Sequence, residues 1–458
     1  MKDSEDISAL KQYTDLYREH AKDVDANSAP ALNALRKDAL RNLDGKRLPK
    51  RGDEDYEATD VEAIFAPDFG VNINRVDILA DPNEAFRCDV PNMSTAPYYF
   101  FNDIYHHDTA TNFGRGVIVT SLRNAAQSYP ELVARHYGSL APLADPQVAL
   151  NTLLVQDGIF VYVPRGVTME RTLQIVNIMN TPQPIMALRR VLVVLEEGAQ
   201  ARMLVCDHTQ SREVPCLSNQ VIEVVAGEDS VFDFYDFEAT SPTSLRASSM
   251  WARQQARSNL LVDGITLSNG TTRNNFHIDV DGERAETKLL GMAISSGEQH
   301  IDNHTYIGHN AGYCHSNELF KYVVEDSATG SFAGKILVAP GAPKVEAYQS
   351  NRNICASTTA KMHTKPQLEI YTDDVKCSHG ATVGQLDQDA IFYMRTRGVP
   401  LDQARVLLMQ AFMSDVIEAV RIDALKDRLH NLVEKRFAGS LAGCGDCAGT
   451  CHNKIKRD

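Results

Sequence analysis

The chain has 458 residues, 43% hydrophobic and 23% charged, the balance of a globular protein of two or three domains or one elongated one, which excludes a disordered chain. Its 60 acidic residues exceed its 46 lysines and arginines, for a net charge of −14, so non-specific binding to nucleic acid or an anionic membrane is not expected. The densest apolar run, "VLVVL" at 191–195, is far short of the ~20 residues that cross a bilayer, the first residues are acidic where a signal peptide is basic then apolar, and the expectation is a cytoplasmic protein whose nine cysteines are mostly reduced.

The first ~45 residues read as helix, with Ile7, Leu10, Tyr13 and Tyr17, then Leu32, Leu35, Ala39 and Leu43, recurring at helical spacing. "GKRLPKRGDEDYEATD" (45–60) breaks that pattern and reads as an extended connector. Between 61 and 120, bursts such as "YYFF" and "GVIVTSL" predict a few strands, and two helices follow in "PELVARHYGSL" and "DPQVALNTLLVQ". This N-terminal region is taken as 1–150.

From 151 to 385 the sequence becomes a series of short strand-like runs, among them "IFVYV", "RRVLVVLEE", "VFDFYDFE", "KLLGMAI" and "QLEIYT", separated by small polar turns. Turn glycines at 282, 297, 312 and 330 form a loose repeat of 15, 15 and 18 residues. So many strands without intervening helices allow an antiparallel sandwich or barrel, or a solenoid of parallel strands. The loose repeat favours the solenoid. A C-terminal helical region, 386–437, then runs through "QLDQDAIFYMRTRG" to Gly398 and resumes at Pro400, with Val406, Met409, Phe412, Met413, Val416 and Val420 at helical spacing and a break near 421–424. The tail, 438–458, is Cys-rich.

Three groups of residues are candidates for chemistry. In "QHIDNHTYIGHNAGYCHSNE" (299–318), His300, Asp302 and His304 share one face of a strand; with His309 they are candidate ligands of a cupin-like metalloenzyme, or else a polar ladder. In the tail, Cys444, Cys447, Cys451 and His452 have donors and spacing suited to a tetrahedral metal or an iron–sulfur cluster, or are inert. In "DDVKCSHGATVG" (373–384), Cys377 and His379 point the same way about 6–7 Å apart, half a metal site at most. No phosphate-binding glycine loop opens a helix, so nucleotide chemistry would come from a partner.

"KPQLEIYTDDVKCSHGATVGQLDQDAIFYMRTRG" (365–398), with "GSFAGKILV" (330–338), "AYQSNRNICAS" (347–357), "ARVLLMQAFMSDVIEAV" and "LPKRGDEDYEATD", closely resembles the SufD branch of the SufB/SufD family, over roughly residues 45 to 437. The resemblance implies a right-handed parallel β-helix core flanked by N- and C-terminal helical regions. It further implies a non-enzymatic scaffold subunit for iron–sulfur cluster assembly. Such a subunit pairs with a SufB-like subunit and binds the ATPase SufC through the C-terminal helices, where Val406, Met409, Phe412, Met413 and Val416 lie. His379 would then contribute to a transient cluster shared with SufB, beside Cys377. SufB-like chains carry a Glu after that His, and Gly380 here fits the SufD type. The cysteine tail departs from the common pattern. A homodimer of the isolated chain is compatible with the family's pseudo-symmetric pairing. A β-helix carbohydrate-active enzyme, needing an exposed carboxylate pair, and the cupin-like metalloenzyme are the competing expectations.

Overall fold

Backbone pairing in the computed structural model, which describes residues 8–76, 95–106, 111–210 and 212–439, follows one rule from Ile159 to Gly384: each strand pairs in parallel with the strand two places along the chain. Successive strands therefore alternate between two sheets, and the chain coils as a parallel β-solenoid of about eight turns. Sheet one runs from Ile118–Ser121, which joins antiparallel, through Ile159–Val163 to Lys361–Ile370, and sheet two from Ile104–His106 and Thr95–Phe101 through Thr172–Met179 to Lys376–Gly384. In sheet one the register steps from Leu245 to Thr271, His300, Thr329 and Lys361, so a coil takes 26 to 32 residues.

That length explains the glycine repeat, because two glycine steps make one coil. Gly282, Gly297 and Gly312 occupy turns between strands. At Gly282 a Cβ would lie 1.9 Å from Ala256 N of the preceding turn, so the stacked turns leave no room for a side chain. Gly330 differs from the expectation: it is the second residue of strand Thr329–Val338, where a Cβ would press on Met362 Sδ at 2.7 Å.

The strands alternate, but both of their faces are buried, which is why many read as unbroken apolar runs. Along Asn259–Ser268, Leu260 and Val262 face the solenoid interior, while Leu261, Ile265 and Leu267 face outward beneath the C-terminal helices. The interior is not uniformly apolar. Arg246 meets Asp236 at 2.5 Å, Asp207 at 3.3 Å and Glu238 at 3.6 Å, and Arg189 meets Asp207 at 2.7 Å, all out of contact with solvent.

The N-terminal helices Ala9–Ala26, Arg36–Leu43 and Pro146–Leu154 coat the outer face of sheet one, with Leu10, Tyr13, Ala39, Leu43 and Leu150 against Met186, Leu188, Leu217 and Ala247. The apolar bursts form strands as expected, Thr95–Phe101 around "YYFF" and Ile118–Ser121 within "GVIVTSL", and short helices lie at Val61–Phe65 and Leu122–Ser128. Each helix opens on a side-chain cap, Asp60 accepting from Ala63 N–H and Ser121 from Asn124 N–H. The coat is fastened by buried charge. Glu223 accepts backbone N–H bonds from Gly138 and Leu140, both at 2.9 Å, and from Ala141 at 3.2 Å, and it pairs with Arg190, whose guanidinium lies 4.6 Å over the Tyr137 ring.

On the other side, helices Leu401–Glu418 and Asp423–Phe437 cover sheet two, separated by the break expected near 421–424. Met409, Met413, Val416, Leu425, Leu429 and Val433 pack on the outward residues of the strands. Cations at the rim fix the angle of approach. Lys321 Nζ donates to Phe412 O at 2.6 Å and pairs with Asp415; Arg421 reaches Asp233 at 2.7 Å; Arg436 donates to Leu267 O at 2.8 Å. Beneath these helices lies Asp263, fully buried, on the same face as Leu261 and Ile265. Neither of its oxygens has a hydrogen-bond partner among the described residues, and burial pushes its carboxyl up to about 8.

Two outcomes follow from this packing. Glu223→Ala leaves Arg190 buried and three N–H groups unmatched, and is expected to cost about 3–5 kcal/mol, read by chemical denaturation against the parent chain. The Asp263 acid is kept neutral in the folded state, so it contributes stability at pH 4 that is lost progressively as pH rises toward about 8. Asp263→Asn should flatten that decline and gain on the order of a few kcal/mol relative to the parent at pH 8; an unaltered slope of stability against pH 5–8 would show that the carboxyl is already ionised in the fold.

Candidate functional site at the open end of the solenoid

The solenoid stops without a cap among the described residues. Lys361–Ile370 and Lys376–Gly384 stand at the ends of their two sheets, each paired on one side only. The exposed outer strands carry Ile370 and Val383, at 41% and 50% exposure, with Tyr371 just past the first at 59%, a concentration of apolar surface that ordinary edge strands avoid. Above Gly380 and Gly384 there is open space.

His379 and Cys377 belong to this last strand. Register places Cys377 over Ala347 and His379 over Gln349, both on the interior face of the preceding coil. The two side chains therefore point along the solenoid interior, as alternation on a strand requires. Cys377 is half-buried against the interior core, and burial pushes its thiol up. His379 is exposed because no coil follows it. Together they offer one sulfur and one imidazole nitrogen, soft and borderline donors suited to iron. Two donors fall short of the four that hold a cluster, and no group of three or more Cys, His, Asp or Glu converges among the described residues. Cys355 does not help: it ends strand Glu346–Cys355, eight register positions from the residue that pairs with Cys377.

The other sequence candidates separate. His300, Asp302 and His304 do share the outer face of sheet one, but as fasteners for the connector at 45–60. Thr59 Oγ1 lies 2.7 Å from His300 Nε2 and donates to Asp302 at 2.6 Å; Asp302 also pairs with Arg273 at 2.6 Å, and His304 pairs with Asp55 at 3.4 Å. His309 turns into the interior, 2.9 Å from Ser316 Oγ. A strand's alternation puts an even-spaced set on one face and an odd-spaced member on the other, so the three histidines of the cupin-like expectation do not meet. Asp207, Asp236, Glu238 and Glu318 are shut inside the solenoid and offer no exposed carboxylate pair. Cys444, Cys447, Cys451 and His452 lie outside the described residues.

Of the expected docking residues, Met409, Met413 and Val416 are buried on sheet two, Phe412 is partly buried there, and Val406 is half-buried. Apolar groups left outward on the C-terminal helices are Phe392 at 70%, Tyr393 at 59%, Leu401 at 44% and Leu407 at 41%. A helical repeat in the sequence shows the stripe, but a stripe that packs inward looks the same as one that faces a partner.

The chain matches two family profiles that together span most of it. Residues 7–175 match the SufBD protein N-terminal region, and residues 177–412 match the SufBD core domain of SUF system FeS cluster assembly. Among curated proteins it is 29% identical to an iron–sulfur cluster assembly SufBD family protein of Synechocystis, over 88% of this chain and 90% of that one. It is 27% identical to the iron–sulfur cluster assembly protein SufD of Bacillus subtilis, over 70% of this chain and 74% of the relative. With SufD of Escherichia coli the identity is 37%, over 38% of this chain and 41% of the relative. A solenoid coated by helices on both sides, ending on open strands that carry a Cys–His pair, agrees with these matches, and the chain belongs to the SufBD family of iron–sulfur cluster assembly proteins.

Proposed function

We propose that this chain is the SufD-like, non-enzymatic subunit of a SUF scaffold, pairing with a SufB-like subunit through the open end of its solenoid. The observation that carries the reading is the half-built site there: His379 exposed on the last of two terminal strands, each paired on one side only, with Cys377 beside it. Strand edges of this kind are completed by another chain's strands. A partner edge laid against Lys361–Ile370 and Lys376–Gly384 would cover Ile370, Tyr371 and Val383, and bring its own donors to the iron–sulfur cargo. The cluster is then a transient passenger held by two chains, released when they separate.

ATP hydrolysis belongs to the SufC partner in this scheme, since the sequence holds no phosphate loop. The surface offered to it is the outward side of the C-terminal helices, Phe392, Tyr393, Leu401 and Leu407, and not the buried methionine stripe.

Two experiments test these assignments in the complex reconstituted with SufB and SufC partners. His379→Ala removes an exposed side chain, so stability should stay within about 0.5 kcal/mol, while iron and sulfide retained by the complex fall sharply; undiminished cluster yield removes His379 from the site. Phe392→Ser combined with Leu407→Ser should weaken capture of the ATPase with no loss of folded helix by circular dichroism. Capture at parental affinity would move the docking surface elsewhere.

A further inference from the structure

A short polar chain runs through the solenoid interior toward His379. Thr305 Oγ1 donates to one oxygen of Glu318, and Gln349 Nε2 donates to the other at 2.8 Å. All three side chains are buried, Thr305 and Glu318 at 0% exposure and Gln349 at 3%. Gly334, the register partner of Thr305, makes room for them. A Cβ at Gly334 would lie 2.4 Å from Gln349 Nε2 and 2.8 Å from Thr305 Oγ1, so a side chain there would push the amide away from Glu318.

With Glu318 ionised, both of its oxygens accept, so Gln349 presents its NH2 group to it and the direction of the whole amide follows; burial pushes this acid up to about 7, so the arrangement belongs to pH above that. The other end of the Gln349 amide, Oε1, is buried and has no hydrogen-bond partner among the described residues. Leaving a buried acceptor unmatched costs about 1–3 kcal/mol. The residue in register with Gln349 on the next coil is His379, on the same face and one strand spacing, ~4.8 Å, away. The structure shows no bond between the two: the His379 side chain is exposed, and turned inward its imidazole would give that orphaned oxygen a donor.

We propose that Gln349 is a positioning residue for His379: its Oε1 accepts the N–H of the nearer ring nitrogen, and the Glu318 carboxylate fixes the amide so that oxygen faces the ring. The far ring nitrogen is then the unprotonated one, with its lone pair directed out of the open end. The inference rests on reading His379 as a ligand of the cluster, a role in which a hydrogen-bonded second nitrogen orients the ring and raises its basicity.

The test reads the tautomer directly in the full-length chain without any cluster. Long-range proton–nitrogen NMR on protein labelled with 15N-histidine shows which ring nitrogen carries the proton, and His379→Ala assigns the signal. The parent should show one dominant tautomer for His379. Gln349→Met should shrink the tautomer ratio about fivefold, the scale set by one ordinary hydrogen bond. Glu318→Gln keeps the shape but frees the amide to flip, and should populate both tautomers; it carries the same measurement if Gln349→Met does not fold. A His379 tautomer ratio unchanged from the parent in the variants that fold overturns the proposal. In the complex with its partners, Gln349→Met should retain roughly tenfold less iron. Loss of cluster in His379→Ala with an unchanged tautomer ratio in Gln349→Met sinks the positioning role alone. A shifted ratio with full cluster yield in both variants upholds the positioning and sinks the cluster role instead.

Discussion

Everything in this molecule depends on the parallel ladder keeping its register from coil to coil. A strand that slipped by one residue would turn Leu260 and Val262 outward and expose Leu261 and Ile265 to the interior. With both faces buried, such a slip would not expose apolar surface to water so much as break the matching of specific groups. Those groups are what pin the register: the glycine turns that stack without a Cβ, and the interior charges that meet only when their strands are aligned. Asp207, Asp236, Glu238 and Arg246 come from three strands and two sheets, and their charges meet in one alignment.

The same ladder creates two surfaces that it cannot satisfy itself. Outward rows of Leu, Met and Ile on both sheets need a cover, and the chain provides one from each end. Apolar packing supplies the area, while buried cations supply the direction. Arg190 with Glu223 holds the N-terminal coat, and Lys321, Arg421 and Arg436 hold the C-terminal one. Pairs like these add little net stability over apolar packing, yet are costly to break singly. They make the coats specific in place, and through Thr59, Asp55 and Asp302 they also tie down the connector that the sequence leaves as an extended strap.

The second unsatisfied surface is the end of the ladder. Each coil is completed by the next, so among the described residues the final coil has no strand on its outer side and no lid over its interior. His379 and Cys377 owe their accessibility to that fact alone; one coil further down, Gln349 in the equivalent place is buried. Chemistry placed at the end of a solenoid is therefore incomplete by construction. It can be finished by a second chain and opened again when that chain leaves, which suits a cargo held only in passing.

Much of the architecture was legible in the sequence because it is local. Short runs bounded by small polar turns, a half-coil glycine spacing, and helical stripes at both ends mark strands, coils and coats by their own periodicity. The Cys377–His379 pair and the family motifs around it were legible for the same reason. Sequence spacing could not say that His300 and His304 fasten a strap, that His309 turns inward, or that Met409 and Met413 face the sheet. It also gave no sign of Glu318 and Gln349, which lie 31 residues apart and become neighbours only because a coil is that long. The sequence by itself determined which segments form strands and which residues share a strand face, since a two-residue period needs no other part of the chain. The tertiary structure decided what each face meets, because contacts between coils, coats and the open end are set by the accumulated length of every turn.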